Sequence, residues 1–531
     1  MKPEKGKPML KHCQSKLALR RAVISTCIAA TALAGCDSKD GSPDDLGAPP
    51  TQWVPSTYKT STIYKNFCEQ PRTGVHPYTD EPFPDIAGST ALENHYLRAW
   101  THEAYLWYDE LPDLDPNNYT DSIEYFGLLR TSELTANGTV KDRFHFTEDE
   151  IKGDQLTFTG QRGGYGISWK FNAERELFVS FVEPSSPASD AGVTRGMQLT
   201  HVNGIRLTEL TNEQIADANR AIFSPELGSE ASFEFIPPML GDALSVSLEA
   251  ANISISAVLK HSILETTTGD VGYLAFNTFN TFTAENQLKA AFDDFAANNI
   301  DDLVVDLRYN GGGYLYIAAQ LGYLVAGDSN TAGETFTVLQ YNDKRSSNNV
   351  VFPFVASTRN TQEPSQPLTS VNLNRVYVIT TGSTCSASES FINGLRGVGV
   401  EVIQIGSTTC GKPHGFNAQA NCGTRYFSID FESVNAQGFG EYIDGFEPVE
   451  TGADPLSNKV TGCDAGDDLA HRLGDTNEAM LSTALYYRDN GTCPEATTAS
   501  QQKLQNRMIV DGELVAPESD KVMRLAPTWS F

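Results

Sequence analysis

Leu303-Val304-Val305-Asp306-Leu307-Arg308-Tyr309-Asn310-Gly311-Gly312-Gly313 is the stretch that decides the fold of this chain. Leu303–Leu307 is short and almost wholly apolar, which predicts a strand buried on both faces. Polar residues and three glycines follow, so the chain turns there. Leu315–Val325 then predicts a helix. Upstream, Val271–Phe276 predicts a strand, and Glu285–Asn298 an amphipathic helix with Leu288, Phe292 and Phe295 on one stripe. Downstream the alternation returns as strand Val376–Thr380, helix Ser386–Leu395 and strand Val402–Ile405. Strands joined by crossover helices predict an α/β core around a mainly parallel sheet. A last helix is expected near 476–488, opened by Asp475-Thr476-Asn477-Glu478 in a capping-box arrangement.

Open α/β sheets place their sites beyond the carboxyl ends of the strands. Three segments fall there: Asp306–Gly313, Thr381-Gly382-Ser383-Thr384-Cys385-Ser386-Ala387-Ser388-Glu389, and Gly406-Ser407-Thr408-Thr409-Cys410-Gly411-Lys412. In the second, small residues turn the chain and a helix begins at Ser386. A hydroxyl there sits among free amides at the positive end of a helix dipole, which suits oxyanion chemistry. The same Ser-x-x-Glu spacing also reads as a capping box, with Ser386 as N-cap and Glu389 at N3. The third segment is nearly a Walker A loop, yet Pro413 stands where Ser or Thr should hold magnesium. His414-Gly415-Phe416-Asn417 does not begin a helix, so nucleotide binding is disfavoured. What remains is Lys412 on a tight loop beside the active edge of the sheet.

Between 155 and 255 short strands are punctuated by glycine. Gly163-Gly164-Tyr165-Gly166-Ile167 precedes an apolar strand, followed by Glu183-Pro184-Ser185-Ser186-Pro187-Ala188, Ala191-Gly192-Val193, Arg195-Gly196-Met197 and Val202-Asn203-Gly204. This run resembles a PDZ domain, with Met197 in place of the usual Asp. The resemblance implies recognition of a chain terminus added as a strand, its carboxylate held by the amides of Gly164, Tyr165, Gly166 and Ile167. Residues 88–131 are expected to be helical, with Tyr96, Leu97, Trp100, Ala104, Tyr105 and Trp107 packed as core.

The first residues read as a targeting segment. Seven Lys and Arg precede an apolar stretch, Ala22–Ala34, too short to span a membrane. It ends in Leu33-Ala34-Gly35-Cys36, which resembles the bacterial lipoprotein cleavage box; that family attaches lipid to the cysteine. Residues 37–57 are rich in Asp, Ser, Gly and Pro, as a tether from a membrane would be. Net charge is −28, from 67 acidic against 39 basic residues, which repels phosphate backbones and excludes nucleic acid as a partner. Six cysteines lie beyond Cys36, an even number that suggests disulfides in an exported protein. Six allow fifteen connectivities. The short loops Cys410–Cys422 and Cys463–Cys493 are the simplest guess, leaving Cys68 with Cys385. Neither cysteine nor histidine spacing matches a metal site, so no metal and no cofactor is expected.

Taken in order, Asp-Leu-Arg-x-Asn-x-Gly-Gly, Ser-Ala-Ser-Glu and Gly-Lys after a strand resemble the carboxyl-terminal processing peptidases, or tail-specific proteases. A PDZ-like domain precedes the core in that family too, and the likeness spans roughly residues 150–450. It implies a crotonase-like peptidase core, with Ser386 as nucleophile, Lys412 as general base and Glu389 as the acid one helical turn on. Gly312 and Ala387 would offer oxyanion amides, though any of Gly311–Gly313 could donate. Gly311 stands where the family often has proline, and Pro413 after the lysine and the extra cysteines also depart from it. A serine hydroxyl needs a neighbour to take its proton. Neutralising a free lysine at pH 7 costs roughly 4.6 kcal/mol, and burial offsets most of that. The expected division is signal peptide 1–36, tether 37–65, N-terminal helical region 66–150, PDZ domain 151–255, peptidase core 256–493 and an unassigned tail 494–531. The expected function is a cell-envelope serine endopeptidase, lipid-anchored through Cys36, acting on protein or peptide substrates. The alternative is an inactive scaffold that binds protein C-termini. Substrate identity, choice of membrane and oligomeric state are open at this level.

Overall fold

The structure is a computed structural model that describes residues 49–495 apart from 173, 239–240 and 360–363, together with the short strand Met523–Arg524. The signal segment, Cys36 and residues 37–48 of the tether lie outside the described residues, as does nearly all of the tail. Residues 49–65 do not hang free as a tether. Arg98 donates to the carbonyls of Val54 and Thr57, Tyr64 is buried, and Ser61 bonds Glu103 through both its amide (2.8 Å) and its hydroxyl (2.6 Å).

The continuous helical stretch expected over 88–131 is broken. Helix α1 (Thr90–Ala104) starts at the Ser89 cap, and the chain leaves it extended at Tyr105. Pro112 and Pro116 keep the following segment out of helix, and α2 is a short helix at Ser122–Leu128. The aromatic stripe is core, as expected: Tyr96, Leu97, Trp100 and Ala104 pack with Tyr125 and Phe126. This region is knitted to the α/β core. Strand β1 (Phe146–Asp149) pairs antiparallel with residues 424–427, and Cys68 is bonded to Cys422, 354 residues away.

After α3 (Glu150–Thr159) comes the PDZ unit. Its strands are β2 (Ile167–Phe171), β3 (Leu177–Val182), β4 (Gln198–Val202), then after helix α4 (Asn212–Phe223) β5 (Glu230–Ile236) and β6 (Leu244–Glu249). They form an antiparallel sheet in the order β6-β5-β4-β3-β2. Strand β2 is therefore an edge.

The α/β core follows: β7 (Val258–Thr266), β8 (Gly269–Phe276), α5 (Thr283–Asn298), β9 (Asp302–Asp306), α6 (Leu315–Thr331), β10 (Arg375–Thr380), α7 (Ala387–Gly397), β11 (Glu401–Gly406), β12 (Glu447–Val449), β13 (Lys459–Asp464) and α8 (Ala479–Asn490). The sheet order is β7-β8-β9-β10-β11-β13-β12, parallel except for the β7–β8 pair. Side chains alternate between two cores. Leu303, Val305, Val376 and Val378 face Leu288, Phe292, Phe295, Phe391 and Leu395 of the α5–α7 layer. Val304, Tyr377, Ile379, Ile403 and Ile405 face Met480, Leu481 and Ala484 of α8. Burial of each such side chain contributes about 1.5–3 kcal/mol. Those two layers force the sheet to present its working loops at the carboxyl ends of β9, β10 and β11.

The disulfides correct two expected pairings. Cys463–Cys493 forms as expected, but Cys68 pairs with Cys422 and Cys385 with Cys410. Nearness in space decided this. The loops after β10 and β11 come together across the parallel sheet, and Cys422 sits on the hairpin that pairs with β1.

Candidate active site

The three segments expected at the carboxyl ends of β9, β10 and β11 meet. Asn310, fully buried, joins the first to the second: its carbonyl accepts from Cys385 N (3.0 Å) and from Ser388 Oγ (2.9 Å). Thr384 Oγ1 donates to Leu307 O (2.8 Å), and Thr381 Oγ1 donates to Arg308 O. Arg308, wholly buried, is compensated by Asp306, Asp467 and Glu478 at 2.7–2.9 Å. Its guanidinium fixes the base of the glycine turn.

Ser386 is the residue before α7 and has φ 61° and ψ −112°. A non-glycine residue there carries strain of about 1–3 kcal/mol and persists only when its surroundings over-determine it. Its amide donates to Glu389 Oε2 at 2.8 Å, the N3 half of the expected capping box. The other half of the box, the Glu389 N–H toward the Ser386 side chain, is in place but loose: Oγ is buried without a well-formed hydrogen bond. The backbone thus holds the turn, and the oxygen stays available for chemistry. Ala387 follows as the first helical residue, where an amide has no acceptor within the helix.

Glu389 stands at the centre. Its Oε2 also accepts from Lys412 N (2.8 Å), and its Oε1 from Gly411 N (2.8 Å) and Thr409 Oγ1 (2.5 Å). Ser386 and Lys412 therefore bring their amides to the same carboxylate oxygen. Burial pushes the Glu389 carboxyl above its ordinary range, against these four donors. Lys412 is fully buried, with Nζ 3.8 Å from the ring centre of Phe416 and 4.8 Å from that of Phe144. Gly411 adopts φ 81°, and a Cβ there would lie 2.2 Å from Ile443 O, so only glycine fits before the lysine.

Gly312 departs from expectation. Its N–H donates to Asn310 Oδ1 at 2.9 Å, so it is engaged inside its own turn. Beside it the backbone of Gly313–Tyr314 pairs in parallel with Met523–Arg524, so an extended segment can lie along this edge. His414 is buried with its ring edge-on to Trp107, and burial holds its pKa down at about 3. In the PDZ unit Gly166 has φ 84°, and a Cβ there would fall 2.2 Å from Ser186. Tyr165 is a core side chain, packed edge-on to Phe233, and Ile167 opens edge strand β2, with Gly164 ending the strand before it.

Three partners of the site escaped the sequence reading. Arg143 donates to the carbonyls of Cys410 (2.6 Å), Gly411 (3.3 Å) and Ile443 (3.1 Å). Phe144 covers Lys412 from the N-terminal region. Asp467 binds Arg308 and also Lys170 (2.5 Å) and Arg195 (2.7 Å) of the PDZ unit. None lies in a motif; only proximity reveals them. As for metals, two candidate ligand clusters among the described residues contain disulfide cysteines. The third, His76, Glu150 and Asp154, is ion-paired with Arg72 and Arg425.

Comparison with known proteins places these parts. Residues 270–419 match peptidase family S41, residues 93–146 the peptidase S41 N-terminal domain, and residues 155–225 the PDZ domain. The carboxy-terminal processing protease CtpB of Bacillus subtilis (strain 168) is 24% identical over 310 residues, 56% of this chain and 57% of its own length. Disks large homolog 2 of Danio rerio is 27% identical over 153 residues, 27% of this chain and 17% of its own. An S41 protease of Bacteroides fragilis NCTC 9343 shares the fold, with a TM-score of 0.55 at 23% identity, over 77% of this chain and 98% of that one.

Proposed function

We propose that this chain, a member of peptidase family S41, is a serine endopeptidase of the bacterial cell envelope. Ser386 is its nucleophile and Lys412 its general base. The observation that carries the reading is the buried Ser386 hydroxyl, without a well-formed hydrogen bond and set on a strained turn whose amide shares a Glu389 oxygen with the amide of buried Lys412. The Oγ attacks the carbonyl carbon of the scissile peptide, and its proton passes to Nζ of Lys412. Ala387 N–H and the glycine turn face the developing oxyanion; Gly312 joins them only by releasing Asn310. Lys412 then returns the proton to the leaving amine, and water hydrolyses the acyl-serine by the same path. Glu389 positions both loops and stays off the reacting atoms. The PDZ unit presents substrate by its free C-terminus, added as a strand on β2. Cys36 carries the lipid that keeps the protein at the membrane.

The rival reading is a scaffold that binds protein tails without cutting them, and the engaged Gly312 amide is the observation in its favour. A serine-directed phosphonate separates the two. Peptide turnover together with a mass-mapped adduct on Ser386 supports the peptidase. Tail binding with neither adduct nor turnover supports the scaffold.

A further inference from the structure

The Cys385–Cys410 disulfide ties the residue before Ser386 to the residue two before Lys412. Cys385 is fully buried, whereas Cys410 is half-buried. The other links between these loops are hydrogen bonds, chiefly to Glu389, whose carboxyl is held high by burial. Those links weaken whenever that carboxyl takes a proton; the disulfide does not. The strained backbone at Ser386 needs such over-determination. Opening the bond would do more than slacken it. The Cys410 sulfur lies 3.4 Å from Glu389 Oε2, the oxygen that serves both the Ser386 and Lys412 amides. A freed thiol would compete there as a third donor. Cys385 would become a thiol at the head of α7, inside the apolar cluster of Tyr105, Phe144, Phe416 and Phe427, where burial keeps it protonated.

We propose that Cys385 and Cys410 are positioning residues whose disulfide holds nucleophile and base in register, so that a thiol reductant turns the peptidase down. The inference rests on the dyad reading above. In the switching step an external thiolate attacks the Cys410 sulfur, the Cys385–Cys410 bond breaks, and Cys385 leaves as a thiolate. A second external thiolate attacks the outer sulfur of the mixed disulfide and releases Cys410. Two electrons pass from the external thiols, which end as their own disulfide, and solvent supplies the protons.

The test uses the full oxidised chain. One portion is labelled with the phosphonate; failure to label Ser386 sinks the dyad reading itself, whatever the disulfide does. A second, unlabelled portion is titrated with dithiothreitol, its free thiols are alkylated and mapped by mass, and kcat, KM and thermal unfolding are followed together. The expected result is a fall in kcat of about a hundredfold, the scale of a small misplacement of reacting groups. The fall should track alkylation of Cys385 and Cys410, leave KM nearly unchanged and the chain folded at the assay temperature, and reverse on reoxidation. A Cys385→Ala/Cys410→Ala chain should start at the low kcat and ignore dithiothreitol. A Cys463→Ala/Cys493→Ala chain should keep the response. Undiminished kcat with the Cys385–Cys410 bond mapped as open overturns the proposal. So does a loss that tracks another disulfide, or one matched by equal loss of fold.

Discussion

Ser386 and Lys412 bring their amides to one oxygen of Glu389, and His414 follows Lys412 by two residues on the same loop. His414 starts with the more suitable basicity, but burial has carried its pKa down to about 3. Such an imidazole is a poor proton acceptor at pH 7. Lys412→Ala is therefore expected to lose kcat/KM about as completely as Ser386→Ala, since members of one catalytic unit are not additive. His414→Ala should retain most of it. The reverse result would move the mechanism to a Ser–His pair. His414 also makes a stability prediction. Its folded pKa lies below the ordinary 6.5, so the unfolded chain takes the proton first as pH falls. Its contribution is full above pH 6.5 and is lost as pH falls through the window down to about 3. Urea unfolding at pH 7 and pH 5 should show a smaller acid loss in His414→Ala than in the parent chain.

At the scale of elements, the N-terminal region acts on the lysine loop through the turn that follows Val140. Arg143 ties that loop's carbonyls, and Phe144 screens Nζ from water. Phe144→Ala removes both a cation–π contact and a wall. The contact is worth about 0.5–2 kcal/mol in favour of the ammonium, whereas hydration of a buried charge is worth several times more, so hydration wins. Water beside Nζ stabilises the ammonium, which cannot accept a proton, and kcat/KM should fall on the order of tenfold. An unchanged value would mean that the N-terminal region serves only folding. The PDZ unit makes its own prediction through edge strand β2 and the turn at Gly166. Amidating the C-terminus of a good peptide substrate should raise KM more than it lowers kcat. Identical kinetics for acid and amide would remove C-terminus recognition from the reading.

For the whole molecule, two long-range ties integrate the parts. Cys68–Cys422 staples the N-terminal region to the core. Asp467 gathers Lys170 and Arg195 of the PDZ unit onto Arg308, at the foot of the glycine turn. No helix among the described residues is long and apolar enough to cross a membrane. On the proposed lipid anchor, membrane attachment depends on Cys36. Cys36→Ser should move the protein from the membrane pellet to the soluble fraction; a variant that stays in the pellet after a high-salt wash would refute the anchor.

The sequence alone determined the run from β8 to β11 with the helices between them, and α8, because apolar runs and glycine turns are local signals; β7, β12 and β13 were not legible in it. It also determined that Ser386, Glu389 and Lys412 would sit at strand ends, since their motifs follow those runs directly. Helix α1 was legible by its aromatic period, but its end at Tyr105 was not, because the prolines that stop the helix lie beyond it. Tertiary structure decided everything that joins segments distant in sequence. The pairing Cys385–Cys410 arises because parallel neighbours β10 and β11 bring their following loops together, which spacing along the chain does not encode. Gly312 was chosen from a run of three glycines, and only the fold shows its amide turned to Asn310. Arg143, Phe144 and Asp467 carry no motif at all. Their part in the site comes from three-dimensional packing, where a buried charge or a bare loop carbonyl must find its partner wherever the fold supplies one.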